Sequence, residues 1–208
     1  HAPTGGGVGS NLVVNGLFNV NQRGAASRLE TDGAYNFDRW YKLGSYIYQV
    51  VENLNVPSGT YTLTFSGAGV TAAYAISANT TSSIPSGFTN ISSGGQITVS
   101  AADQSANRHV WLRFTGPYLS LTEVQLVRGS TAGEFQHRSY AEELALCQRY
   151  FQIVKNDMDG ATPRLLIEDG IYDCQLPVTM RATPEISIDN PILGISPYFT
   201  ATEGSFKS

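Results

Sequence analysis

Charge is scarce in this chain. Asp, Glu, Lys and Arg make up 14% of its 208 residues, against roughly 25% in soluble domains generally. Its 17 acidic and 13 basic side chains leave a net charge of -4 and a pI near 5.3, and the arginines are scattered. Phosphate backbones are held by a basic stripe, so a nucleic-acid partner is excluded. Long apolar runs are missing too. Nothing approaches the roughly 20 residues of a membrane-spanning helix, and no membrane insertion is expected. Residues 1–10 (HAPTGGGVGS) have neither the basic nor the apolar region of a signal peptide. They read as a Gly-rich linker, and the missing initiator Met suggests a fragment or a processed chain.

Reactive side chains are equally few. The two cysteines, Cys147 and Cys174, are too far apart for a C-x-x-C motif. They read as buried reduced thiols, with a disulfide left open. Beyond the first residue the histidines are His109, on a strand face beside Trp111, and His137, next to Arg138. Both read as structural or surface groups. No G-x-S-x-G or H-E-x-x-H occurs. Glycoside hydrolysis needs two carboxylates roughly 5 to 9.5 Å apart. Asp38, Glu52, Glu123 and Glu134 are nominal candidates, but nothing in the sequence pairs any two. No enzyme, cofactor or metal site is expected.

What the chain does have is turn and strand chemistry, with Gly (21), Tyr (11) and Phe (9) all generous. Residues 46–51 are β-rich and end near the turn Pro57-Ser58-Gly59. Residues 60–65 alternate strictly, with Tyr61, Leu63 and Phe65 on one face. Residues 70–77 are small and apolar, and Gly94-Gly95 precedes a strand at 96–99. In 109–114, Val110, Leu112 and Phe114 share one face, and His109, Trp111 and Arg113 the other. Gly116-Pro117 breaks that strand, and the next begins at 118. Such short strands, punctuated about every 8 to 12 residues with no intervening helix, predict an antiparallel sandwich.

Beyond Arg128-Gly129-Ser130 the period changes. Leu144, Cys147, Phe151 and Val154 recur at spacings of 3, 4 and 3, one apolar seam on a helix of about three to four turns. Ser139 is its expected N-cap, with Glu142 completing a capping box. A helix this short is marginal alone, so the seam packs on the sandwich or meets its copies on an axis. After Asp159-Gly160 the pattern returns to β, at 165–167, 172–176, 185–188 and 198–200. Pro163, Pro177, Pro184, Pro191 and Pro197 divide these segments. That region has too few bulky apolar residues for an independent core.

Three segments resemble passages recurring in bacteriophage tail-fibre and related virion proteins. They are Leu12-Val13-Val14-Asn15-Gly16-Leu17-Phe18 with Gln22-Arg23-Gly24, then Asp38-Arg39-Trp40, then residues 119–151 with Glu123-Val124-Gln125-Leu126 and His137-Arg138. The order of segments is also similar to jelly-roll carbohydrate-binding modules, which open on an "N-G-x-F" strand and close on a "V-x-L" strand. The resemblance implies a mainly β protein: an antiparallel jelly-roll-like β-sandwich, a short α-helix and a small β-rich C-terminal region. Residues 1–10 would be linker, 11–139 the carbohydrate-binding-module-like sandwich, 140–155 a connecting helix and 156–208 the C-terminal region. It further implies a homotrimer on the virion, in an extracellular fibre or appendage, beside other virion proteins. Related jelly rolls often hold a structural Ca²⁺ near the first and last strands. Here Asn19 stands where an acid is usual, opposite Glu123, which weakens a hard-oxygen site.

The expected function is therefore non-catalytic adhesion to a bacterial surface polysaccharide. Trp40, Tyr41, Tyr46 and Tyr48 are candidate sugar platforms, and Asp38 and Arg39 candidate partners for sugar hydroxyls. Leu144, Cys147, Phe151 and Val154 are the candidate oligomer seam. Two alternatives stand beside this one: a purely structural spacer or assembly module of the virion, and a glycan-degrading depolymerase.

Overall fold

The computed structural model describes residues 10–28, 31–78, 83–117, 119–152, 166–168, 171–173 and 178–180. The chain divides into two units, residues 1–144 and 145–208. Among the described residues the first unit contains nine strands: β1 (Ala34–Phe37), β2 (Trp40–Leu43), β3 (Tyr46–Val51), β4 (Gly59–Ser66), β5 (Thr71–Ser77), β6 (Thr89–Ile91), β7 (Gly95–Val99), β8 (His109–Thr115) and β9 (Thr122–Arg128). Helix α1 (Ala101–Ser105) lies between β7 and β8, and the division falls within α2 (Tyr140–Gln148). In the second unit the described strands are β10 (Leu166–Glu168) and β11 (Ile171–Asp173), an antiparallel pair.

The nine strands form a mainly β, antiparallel sandwich. One sheet runs β1-β2-β3-β8-β5-β6 and the other β7-β4-β9. Alternation decides which side chains meet between them. From the six-stranded sheet come Ile47, Val51, Val110, Leu112 and Phe114, and from the three-stranded sheet Tyr61, Leu63, Ile97, Val99, Val124 and Leu126, all in one buried cluster. Each such side chain contributes about 1.5–3 kcal/mol on leaving water. Because strand side chains alternate, the residues between these positions on β3 and β8 must point out of the sandwich. Those are Tyr46, Tyr48 and Val50, and His109, Trp111 and Arg113.

Three expectations are corrected here. A helix does intervene among the strands: Ser100 and Asp103 form a reciprocal capping box that starts α1, a local polar signal without apolar period. Helix α2 has nine residues, shorter than the predicted three to four turns, although its capping box at Ser139 and Glu142 is present. The "N-G-x-F" segment is not a ladder strand. Residues 11–18 are held to β9 by mixed bonds: Leu12 N donates to the Leu126 carbonyl, while the Asn11 amide accepts from Leu126 N and donates to the Val124 carbonyl. The described strands of the C-terminal region are the β10–β11 pair, and the segments expected at 185–188 and 198–200 lie outside the described residues.

Candidate functional site

The three segments that carry the family resemblance converge on one buried polar joint. Asn15 is its centre, at φ +58°, a left-handed conformation that Asn tolerates. Its amide donates to the Val20 carbonyl (2.8 Å) and the Asp38 carbonyl (3.0 Å), and accepts from Val20 N at 3.0 Å. Its own carbonyl accepts the Trp40 indole N–H at 2.8 Å, and its backbone N–H donates to the Glu143 carboxylate. Next to it, a Cβ on Gly16 would stand 2.2 Å from the Val124 carbonyl oxygen, so only glycine fits. Asp38 accepts Gln22 N at 2.6 Å and lies 3.7 Å from the Arg23 guanidinium. Arg138 donates to the Val13 and Asn11 carbonyls and pairs with Glu143 at 3.1 Å.

This geometry corrects the roles proposed for Asp38 and Trp40. Trp40 is 2% exposed, stacked on Phe18 at 4.5 Å and edge-on to Phe114. Asp38 is 1% exposed. Neither presents a face to a sugar, because Trp40 completes the core and Asp38 the buried polar joint. Arg39 sits in the β1–β2 turn at φ +71° and donates to the Val50 carbonyl at 2.6 Å.

The tyrosines fare differently. Tyr41, Tyr46 and Tyr48 belong to a second apolar cluster with Val50, Ala75, Trp111 and Phe88, on the outer face of the six-stranded sheet. Strand register lines up Tyr35, Tyr41, Tyr48 and Arg113 across β1, β2, β3 and β8. Three strand gaps of about 4.8 Å make this row about 14 Å long, room for more than one sugar ring. Tyr35 and Tyr41 meet edge-on at 5.3 Å. Tyr48, 5% exposed, forms the floor, with Tyr46 and Phe88 each 6.0 Å away and Trp111 at 6.5 Å. Tyr35, Tyr41 and Tyr46 are half-buried, and the Arg23 guanidinium lies 5.6 Å from the Tyr35 ring centre. Leu43, 40% exposed, sits opposite Tyr46 in the ladder and extends the apolar surface.

Arg113 is the charged member of this face. Its guanidinium lies 4.6 Å from the Tyr46 ring centre and 4.3 Å from that of Phe88, a favourable cation–π position with both rings. Burial pushes the Tyr48 phenol above its ordinary value, partly offset by the neighbouring Arg113 cation. The Trp111 indole N–H is buried without a hydrogen-bond acceptor.

Sequence reasoning put Trp111 and Arg113 on one strand face but did not join them to the tyrosines, since strand order is not local information. Tyr35 lies on β1, a four-residue strand too short to show an alternation of its own. An open cleft of about 550 Å³ beside β4, β5 and β6 is lined by uncharged groups, among them Phe65, Val70, Asn90 and Ser93. Among the described residues no three His, Cys, Asp or Glu side chains cluster as metal ligands would. Glu123 instead accepts the Ser66 hydroxyl at 2.7 Å.

Of the expected seam, Cys147 is 1% exposed within the single chain, which takes it off any open surface. Leu144 and Phe151 are half-buried. Val154 lies outside the described residues, as does Cys174. No protein-family model, no curated protein and no solved structure matches the chain.

Proposed function

We propose that this protein is a non-catalytic domain of a phage tail fibre or related virion appendage, adhering to a bacterial surface glycan as part of a homotrimer beside other virion proteins. The observation that carries the glycan-binding reading is the transverse row Tyr35–Tyr41–Tyr48–Arg113 on an outer sheet face. Half-buried tyrosines combine flat apolar rings with polar tips, a chemistry suited to the alternating apolar and hydroxyl faces of a sugar. Weak single sites gain strength when several are presented together.

A purely architectural role is the second reading, and a specific observation favours it: the residues of the family resemblance are spent on a buried joint. A glycan array probed with the intact protein separates the two. Binding that is weakened about tenfold by Tyr41→Ala, the loss of one stacking contact of roughly 1.4 kcal/mol, supports adhesion. No binding to any bacterial glycan at millimolar sugar would favour architecture. Release of reducing ends from a bound polysaccharide would overturn the non-catalytic reading.

A further inference from the structure

We infer that the outer face selects acidic saccharides, with Arg113 as the residue that receives a sugar carboxylate between the Tyr46 and Phe88 rings. The inference rests on the glycan-binding reading of this face and adds the class of sugar. Arg113 is half-buried, and its guanidinium is fixed by two rings at 4.6 and 4.3 Å. Among the described residues no carboxylate forms an ion pair with it: the four salt bridges involve Arg23, Lys42, Arg108 and Arg138.

The surroundings do not neutralise it either. Its outward-facing neighbours in the ladder are Tyr48 on β3 and Ala73 on β5. Residues 77–89, the connection that brings Phe88 over the face, contain no Asp or Glu at all. Among the described residues, then, a cation that no carboxylate pairs is held in place on an apolar surface, in a chain whose net charge is -4. Holding a long side chain in one geometry normally costs side-chain entropy on binding, and here the two rings have already restricted it. A guanidinium is planar, and its fork matches a carboxylate through two parallel N–H donors. The tyrosine row beside it would carry the adjoining rings. Phosphate and sulfate also bind arginine, but carboxylate is the anion whose planar geometry matches a fork flanked by flat rings.

The test is a titration of the intact protein with oligogalacturonate and oligosialate, each compared with its carboxyl-reduced neutral counterpart. The acidic forms should bind about ten- to a hundredfold more tightly than the reduced forms, the range expected of a charge-assisted hydrogen-bonded pair, and the preference should fade with salt. Arg113→Gln should abolish the preference while leaving residual binding of the reduced forms. Arg113→Lys, which keeps the charge without the fork, should restore only part of it and guards against a folding defect in the first variant. Equal binding of acidic and reduced sugars, or a preference untouched by Arg113→Gln, would overturn the acidic assignment and leave the glycan-binding reading intact. A glycan array whose hits carry phosphate or sulfate in place of carboxylate would also overturn it. If neither sugar form binds and the array is empty, both readings fail together.

Discussion

At the scale of the residue, two tryptophans in one sandwich do opposite things with their indole N–H groups. Trp40 donates to the Asn15 carbonyl at 2.8 Å, whereas the Trp111 donor is buried with no acceptor. Both are almost fully buried, so replacement by Phe removes comparable volume. The difference lies in the polar group. Trp40→Phe forfeits a satisfied bond worth about 1 kcal/mol, while Trp111→Phe relieves an unsatisfied donor that costs about 1–3 kcal/mol. Urea unfolding of the two variants should therefore show Trp40→Phe as the more destabilising by at least about 1 kcal/mol. Equal losses would mean that the Asn15 joint is not energetically distinct. Burial also raises the phenols of Tyr48 and Tyr61 above the ordinary value of 10.0. Their folded forms then hold the proton more tightly than the unfolded chain does. The resulting stability is complete below about pH 10 and is lost as pH rises through the raised folded values. In an absorbance titration some tyrosinate should appear late, together with unfolding. Tyr48→Phe should shrink that late fraction.

At the scale of the element, the nine-residue helix α2 is fastened at its start by charge as well as by its capping box. Glu143 is 7% exposed and accepts both the Asn15 N–H and the Arg138 guanidinium. Removing one partner of a buried pair leaves the other uncompensated, which typically costs about 3–5 kcal/mol. Arg138→Met should accordingly destabilise the first unit by several kcal/mol in denaturant unfolding, and the double variant with Glu143→Leu should recover much of the loss. A double variant no better than the single one would show that the bonds of Arg138 to the Asn11 and Val13 carbonyls, and of Glu143 to the Asn15 N–H, outweigh the charge pair.

The same elements show what a sequence can reveal. Strands β3, β4 and β8 were legible because alternation is a local signal, and the capping box of α2 was legible because it is a four-residue pattern. Strands β1 and β2 were not. They pair through a two-residue turn in which Arg39 takes a positive φ that nothing in Asp38-Arg39-Trp40 announces. Asp38 and Trp40 looked like ligand groups for a related reason. Polar and aromatic residues close together in sequence suit a sugar site and a buried joint equally well, and only long-range partners such as Asn15 and Gln22 distinguish the two.

At the scale of the whole molecule, the proposed trimer needs contacts beyond the expected seam. The 3-4-3 spacing left the seam to pack on the sandwich or to meet its copies on an axis, and the second arrangement needs its apolar positions open. One of them, Cys147, is already 1% exposed in the single chain, while Leu144 and Phe151 retain partial exposure. Two half-buried side chains on one short helix cannot supply the roughly 800 Å² per partner of a standard stable interface. If the proposed homotrimer forms, most of its contact must therefore come from outside α2. The intact chain should then sediment as a trimer at micromolar concentration, and Leu144→Ala with Phe151→Ala should weaken that trimer without dispersing it. A chain truncated after residue 152, which keeps the described sandwich and α2, should sediment as a monomer if that contact lies in residues 153–208. A truncated chain that remains trimeric would place the contact within residues 1–152 and return α2 to consideration. A monomeric intact chain would overturn the trimer itself, and with it the avidity on which weak sugar sites depend.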